Sequence, residues 1–251
     1  MGDDELPVKL TPDQEWWERA WQVRETALDT ALGELDPPGK VIAVPELAQT
    51  WPGYCVRRYK PPGPDDGLRI YCTLGPSQPA RHGEQGREIE LTLDVQDAKG
   101  DWPASVLLAF ENMMKQGYQP QPFNVCHAYQ TPDGLIVLGA PSSQAHAAAG
   151  NKRLGQTGGV LFAPRAEGLV EVPGGEPFEL FALTLVHADD EQLLDEENSS
   201  PAAVLLLMER LGLGRTSALD RLPLLQHPGA KKIWASVLAL TEDRAIAELG
   251  L

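Results

Sequence analysis

The chain has 251 residues, of which 42% are hydrophobic and 23% charged, which is the composition of a globular protein rather than a disordered one. Its formal net charge of −15 argues against nucleic-acid binding, which requires Lys and Arg to neutralise phosphates. High counts of Gly (24) and Pro (22) favour an α+β protein with many turns over a helix bundle.

The N-terminal residues and the cysteines predict a soluble, cytoplasmic protein. The first five residues are acidic and contain no apolar segment, so we expect no signal peptide. No apolar run approaches the length of a membrane span, so we expect no membrane contact. The three cysteines, Cys55, Cys72 and Cys126, form no Cys-x-x-Cys pair, which favours reduced thiols over a disulfide framework.

Residues 12–35 have the pattern of an amphipathic helix. Thr11 can cap it, Pro12 suits its first position, and apolar residues including Trp17 and Trp21 recur at three- and four-residue spacing. The Asp-Pro-Pro-Gly sequence at 36–39 ends it. We expect its tryptophan-rich face to pack in the core, the alternative being an exposed platform for a partner.

Two strands are predicted at Leu68–Thr73 and Ile89–Val95, joined by a polar loop at Gly75–Gly86. The second strand alternates strictly. Ile89, Leu91 and Leu93 face one side, and Glu88, Glu90, Thr92 and Asp94 face the other.

The remaining pattern predicts an α+β fold with a mixed, largely antiparallel sheet flanked by helices. Residues 142–159, rich in Ala, Ser and Gln, are expected to form a long surface loop. The other predicted strands are at 41–44, 56–59, Val125–Tyr129, Leu135–Leu138, Val160–Ala163 and Phe178–Val186. The other predicted helices are at Trp102–Lys115, His187–Asn198, Pro201–Leu211 and Lys231–Leu249.

Local spacing predicts no metal site and no cofactor. The five histidines, His82, His127, His146, His187 and His227, form no pair at metal-ligand spacing. The glycine-rich stretch at 155–159 lacks the Lys-Ser/Thr of a phosphate loop and precedes a strand rather than a helix. Cys126 and His127 are neighbours on a strand, so they face opposite sides and do not form a nucleophile–base pair.

The densest charge cluster follows the strand at 178–186. Three interpretations are open for it: a solvated helix start, a partner-binding patch and a metal site, although the loop lacks the calcium-binding pattern. We take the partner-binding patch as the candidate site. Its residues are Asp189, Asp190, Glu191, Asp195, Glu196 and Glu197.

Five landmarks together resemble a known family. They are, in chain order, Thr73-Leu74-Gly75-Pro76-Ser77, Glu90-Leu91, Trp102, Val160-Leu161-Phe162, and Phe181–Asp195 followed by Val204–Leu211. In this order they resemble the suppressor-of-fused-like domain, in its bacterial type. The resemblance covers residues 40–213, and it leaves an N-terminal helical extension at 1–39 and a helical tail at 214–251. The segment 142–159 has no counterpart in the family pattern.

The resemblance implies a binding module rather than an enzyme. Bacterial members of the family are thought to act as immunity proteins that silence a toxin, so the implied function is non-catalytic occlusion of a protein partner such as a basic toxin domain. An acidic inhibitor suits a basic partner, because complementary charge speeds encounter. Two alternatives remain: a regulatory module without a toxin partner, and a hydrolase whose site is assembled from dispersed residues such as His127, Asp94 and Glu90.

Overall fold

A computed structural model describes residues 11–37, 41–43, 55–64, 66–77, 88–96, 99–119, 121–139, 150–195 and 199–251. Two short 3-10 turns, Ala188–Asp190 and Leu224–Gln226, accompany the regular elements. The helices of the described part are α1 (Pro12–Leu32), α2 (Trp102–Lys115), α3 (Gln192–Asp195), α4 (Pro201–Arg210), α5 (Ala230–Leu238) and α6 (Glu242–Glu248). Its strands are β1 (Glu34–Leu35), β2 (Val41–Ala43), β3 (Cys55–Lys60), β4 (Leu68–Leu74), β5 (Ile89–Gln96), β6 (Asn124–Gln130), β7 (Ile136–Gly139), β8 (Lys152–Arg153), β9 (Thr157–Val170) and β10 (Phe178–His187).

The described strands form one mixed sheet of ten, in the order β1-β3-β4-β5-β10-β9-β6-β7, with β2 paired to β3 and β8 paired to β6. The pairing of β5 with β10 is parallel, and the other pairings between described strands are antiparallel. The predicted α+β fold with a mixed, largely antiparallel sheet is therefore confirmed.

Helices cover both faces of the sheet. On one face, Leu107 and Phe110 of α2 pack against Leu91 and Leu93 of β5. On the other face, α1 packs over β3, β4 and the start of β10, and α4 to α6 pack over β9 and the end of β10. Because both faces are covered, the first half of the polar side of β5 is buried: Glu90 and Thr92 are each 0% exposed, whereas Asp94 is half-buried and Gln96 is exposed.

Several element boundaries differ from the prediction. The single helix predicted at Lys231–Leu249 is wrong, because the chain turns after α5 and the Thr241 hydroxyl accepts a hydrogen bond from the Arg244 amide to begin α6. The helix predicted at His187–Asn198 is a 3-10 turn followed by α3, and residues 196–198 of that range lie outside the described residues.

The surface loop predicted at 142–159 is wrong where the structure describes it. Residues 142–149 lie outside the described part, but β8 and the start of β9 occupy much of the remainder, and Leu154 is buried. The glycines there allow close packing. A Cβ added to Gly158 would lie 2.6 Å from the Ala188 Cα and 2.7 Å from the Glu191 Cγ.

The prediction that the tryptophan-rich face of α1 packs in the core holds only in part. Leu28 and Leu32 of α1 are buried in the core, and Trp21 packs against the edge of that core. Trp17 is half-buried, with its ring stacked on that of Trp21 at a centroid distance of 5.1 Å, and Trp16 is 44% exposed. The first turns of α1 therefore extend beyond the buried core.

Candidate functional site

The Thr-x-Gly-x-Ser corner and Glu90 form one hydrogen-bonded unit, which we call the Glu90 cradle (Thr73, Gly75, Ser77 and Glu90). Glu90 Oε1 accepts bonds from the Gly75 amide at 3.0 Å, the Ser77 amide at 2.9 Å and the Ser77 hydroxyl at 2.6 Å. Glu90 Oε2 accepts the Thr73 hydroxyl at 2.5 Å. Thr73, Gly75 and Ser77 alternate along the chain, and this spacing places four hydrogen-bond donors around the Glu90 carboxylate at the end of β4.

Helix α1 covers the Glu90 cradle. Arg24, which is 4% exposed, donates from Nε to the Ser77 carbonyl oxygen at 3.1 Å. Burial raises the pKa of Glu90 to about 7, although the four hydrogen bonds act in the opposite direction. A proton on Oε2 can be accommodated, because the Thr73 oxygen can accept it and turn its own hydrogen toward the Leu91 carbonyl oxygen, 3.5 Å away. The cradle is closed to a partner and is structural.

The raised pKa of Glu90 predicts a pH-dependent stability. A pKa that folding raises from 4.5 to about 7 gives stability that is fully present below 4.5 and is lost as the pH rises through 7. At about 1.4 kcal/mol per pKa unit, this loss is about 3 kcal/mol. We expect chemical denaturation to show it in the wild-type chain and not in Glu90→Gln, whose amide imitates the protonated carboxyl. An identical pH profile in both proteins would contradict the prediction.

The structure places the acidic residues of the predicted partner site in different environments. The side chain of Asp189 is 68% exposed, whereas Asp190 is only 1% exposed, and Glu191 is half-buried. Glu196, Glu197 and the side chain of Asp195 lie outside what the structure describes. Partner binding by these six residues stays a prediction, and Asp189 is the one that the described structure shows to be well exposed.

Asp190 makes an internal connection. Its Oδ1 accepts a hydrogen bond from the Leu224 amide at 2.7 Å, and its Oδ2 lies 3.8 Å from Arg221 Nη2, an ion-pair distance too long for a hydrogen bond. Burial raises the pKa of Asp190 and lowers that of Arg221, although the two opposite charges partly offset the effect. Asp190 therefore holds the segment between α4 and α5 against the end of β10.

Glu191 lies between a histidine and an arginine side chain. Its Oε1 is 2.8 Å from His127 Nδ1 of β6, without the alignment of a good hydrogen bond, and its Oε2 is 2.9 Å from Arg153 Nη1 of β8. The absence of a side chain at Gly158 leaves room for Glu191 in this position. These partners could not be identified from sequence patterns, because Arg153 and His127 are distant from Glu191 along the chain.

The residues of the hydrolase alternative have separate partners. Asp94 pairs with Arg165, Glu90 is enclosed in its cradle, and His127 lies beside Glu191. Cys126 is buried, and burial raises its pKa to about 12, so its thiol is not an activated nucleophile. In the described part of the chain, no three His, Cys, Asp or Glu side chains are grouped closely enough to hold a metal ion.

The helices of the described residues contain no segment with the length and apolar composition needed to cross a bilayer. The three cysteines, Cys55, Cys72 and Cys126, are free and buried.

Comparison with known proteins identifies the fold. Neither the protein-family models nor the curated proteins give a match. Among solved structures, the chain is similar to one described as the Sufu–Fu complex, with a TM-score of 0.56 and 16% identity over 88% of this chain and 96% of that one. A Drosophila Suppressor of Fused structure matches 73% of this chain and 46% of its own, with a TM-score of 0.49 and 16% identity. The chain has the fold of a Suppressor of Fused structure.

Proposed function

We propose that this chain is a non-catalytic protein-binding module, and more specifically a cytoplasmic immunity protein that neutralises a toxin by occluding it. One observation carries the proposal: the fold, across 88% of the chain, is that of a structure described as the Sufu–Fu complex, in which the fold is part of a protein–protein assembly. The five sequence landmarks of the suppressor-of-fused-like family support the same class of function independently.

The charge of the chain suggests the kind of partner. A net charge of −15 attracts a basic protein over long range and raises the rate of encounter. In the proposed contact, Asp189 meets the partner together with Asp195, Glu196 and Glu197. Asp190 and Glu191, which have partners within the chain, hold this acidic turn in place instead of binding the toxin directly.

The proposed mechanism is steric and electrostatic. The inhibitor covers the basic surface with which the toxin binds its own substrate, and no covalent bond is made or broken. A hydrolase is less well supported, because Glu90 is enclosed and Asp94 is paired with Arg165. A regulatory module without a toxin partner would use the same surface but would give no protection against a toxin.

Co-expression tests the proposal. We expect cells that produce the toxin domain encoded beside this chain's gene to grow when the chain is co-expressed and to stop growing without it. Asp189→Lys should weaken protection, whereas Asp243→Lys, a charge reversal at an exposed position of α6, should not. If the chain protects against none of the neighbouring toxin candidates although it is expressed and folded, the immunity function is wrong.

A further inference from the structure

The first turns of α1 present aromatic surface that the core does not use. Trp16 is 44% exposed, Trp17 and Trp21 are half-buried, and the rings of Trp17 and Trp21 stack nearly parallel at an interplanar angle of 22°. Trp21 also donates from Nε1 to Glu25 at 2.7 Å, which fixes its ring. Tryptophan loses little conformational entropy on binding and is enriched among the residues that dominate protein interfaces.

This aromatic surface continues the buried face of α1. Trp17, Trp21, Leu28 and Leu32 follow the three- and four-residue periodicity of one helix face. Leu28 and Leu32 are 0% and 1% exposed, because they lie over the sheet. Toward the N-terminus this face is less buried, because Trp17 and Trp21 are half-buried, and Trp16, on the neighbouring side of the helix, is 44% exposed. A helix face with this profile is suited to receive apolar side chains from another molecule.

The negative charge around this surface favours a basic partner. Glu18 is exposed three residues before Trp21, on the border of the aromatic face, and Glu15 and Arg19 are exposed on the other side of the same turns. The whole chain adds a net charge of −15. Indole faces bordered by carboxylates favour guanidinium and ammonium groups, which can stack on the ring while pairing with the acid. A second copy of this acidic chain would meet like charge and is disfavoured.

We propose that the aromatic end of α1 (Glu15, Trp16, Trp17, Glu18 and Trp21) is a docking surface for a protein partner that presents arginine or lysine beside apolar side chains. This inference rests on the proposed function, since it assigns a contact surface to the same binding module. This surface adds a second contact to that of the acidic turn after β10. The indole rings contribute binding affinity, and the acidic turn contributes electrostatic attraction to a basic partner.

The test uses the purified full-length chain and a labelled amphipathic helical peptide of arginine and leucine as the probe, followed by fluorescence anisotropy. We expect Trp16→Ala and Trp17→Ala each to weaken peptide binding by about tenfold, and Glu15→Gln with Glu18→Gln to weaken it mainly at low salt. Leu222→Ala, which also truncates an exposed apolar side chain, should bind like the wild type. A peptide with glutamate in place of arginine should not bind.

Equal affinity of the wild type and both tryptophan variants would overturn the inference, as would sedimentation showing that this surface is covered by a second copy of the chain. The proposed function fails separately. If the peptide results hold but no neighbouring toxin is neutralised, the docking surface stands and the immunity function does not. If Trp16→Ala and Trp17→Ala neutralise a toxin as well as the wild type does, the immunity function stands and the docking surface does not.

Discussion

Replacing Glu90 with alanine is expected to lower the free energy of unfolding by about 3–5 kcal/mol, because it leaves several buried donors without an acceptor. The amides of Gly75 and Ser77 and the Ser77 hydroxyl all donate to Glu90 Oε1, and Ser77 is itself only 3% exposed. The effect should extend to α1, because Arg24 donates to the Ser77 carbonyl oxygen. The cradle thus joins β4, β5 and the N-terminal helix.

Urea denaturation below pH 7 measures this effect with Glu90 largely protonated in the folded wild-type chain. The matched control is Glu179→Ala, which removes an exposed carboxylate from the neighbouring strand β10 and should change stability by less than about 0.5 kcal/mol. A similar, small change for both variants would mean that the Glu90 cradle does not stabilise the fold.

Replacing Asp190 with alanine is expected to cost about 3–5 kcal/mol, because it leaves a buried charge without its partner. The Leu224 amide would lose its acceptor, and Arg221, whose side chain is 9% exposed, would lose the opposite charge beside it. Asp190→Asn should cost less, because an amide oxygen can still accept from the Leu224 amide.

The neighbouring residue supplies the control for Asp190. Asp189→Ala removes a carboxylate whose side chain is 68% exposed, so thermal denaturation should change little while binding to a basic partner weakens. A loss of stability in Asp189→Ala equal to that in Asp190→Ala would contradict the distinction between an internal connection at Asp190 and a partner contact at Asp189.

The sequence predicted the fold class because hydrophobic periodicity reports which residues share a face. Helix α2 agrees with its predicted range at both ends, and β4 and β5 each differ from theirs by one residue. The periodicity could not show what covers each face. Alternation in β5 placed Glu90 and Thr92 opposite the leucines. Tertiary packing makes that second face an interior one, with Arg24 of α1 over the Glu90 cradle and Arg165 of β9 beside Thr92.

The candidate site was less predictable, because its contacts join residues that are far apart in the chain. The sequence shows a run of acids at 189–191 without showing that Arg221, Arg153 and His127 approach it. Spacing therefore could not separate the buried Asp190 from the exposed Asp189. The Thr-x-Gly-x-Ser corner is recognisable as a motif in the sequence. Its role as the set of hydrogen-bond donors to Glu90, however, depends on the register in which β4 and β5 pair.

We propose that the chain silences a protein partner by binding it, without turnover. The most direct measurement is a titration of the purified toxin domain's activity with increasing amounts of purified chain. We predict that activity falls in proportion to the chain added and is abolished near equimolar amounts, with the toxin recovered intact when high salt separates the complex. Full toxin activity at a molar excess of the chain, or permanent loss of activity at amounts far below equimolar, would contradict stoichiometric occlusion.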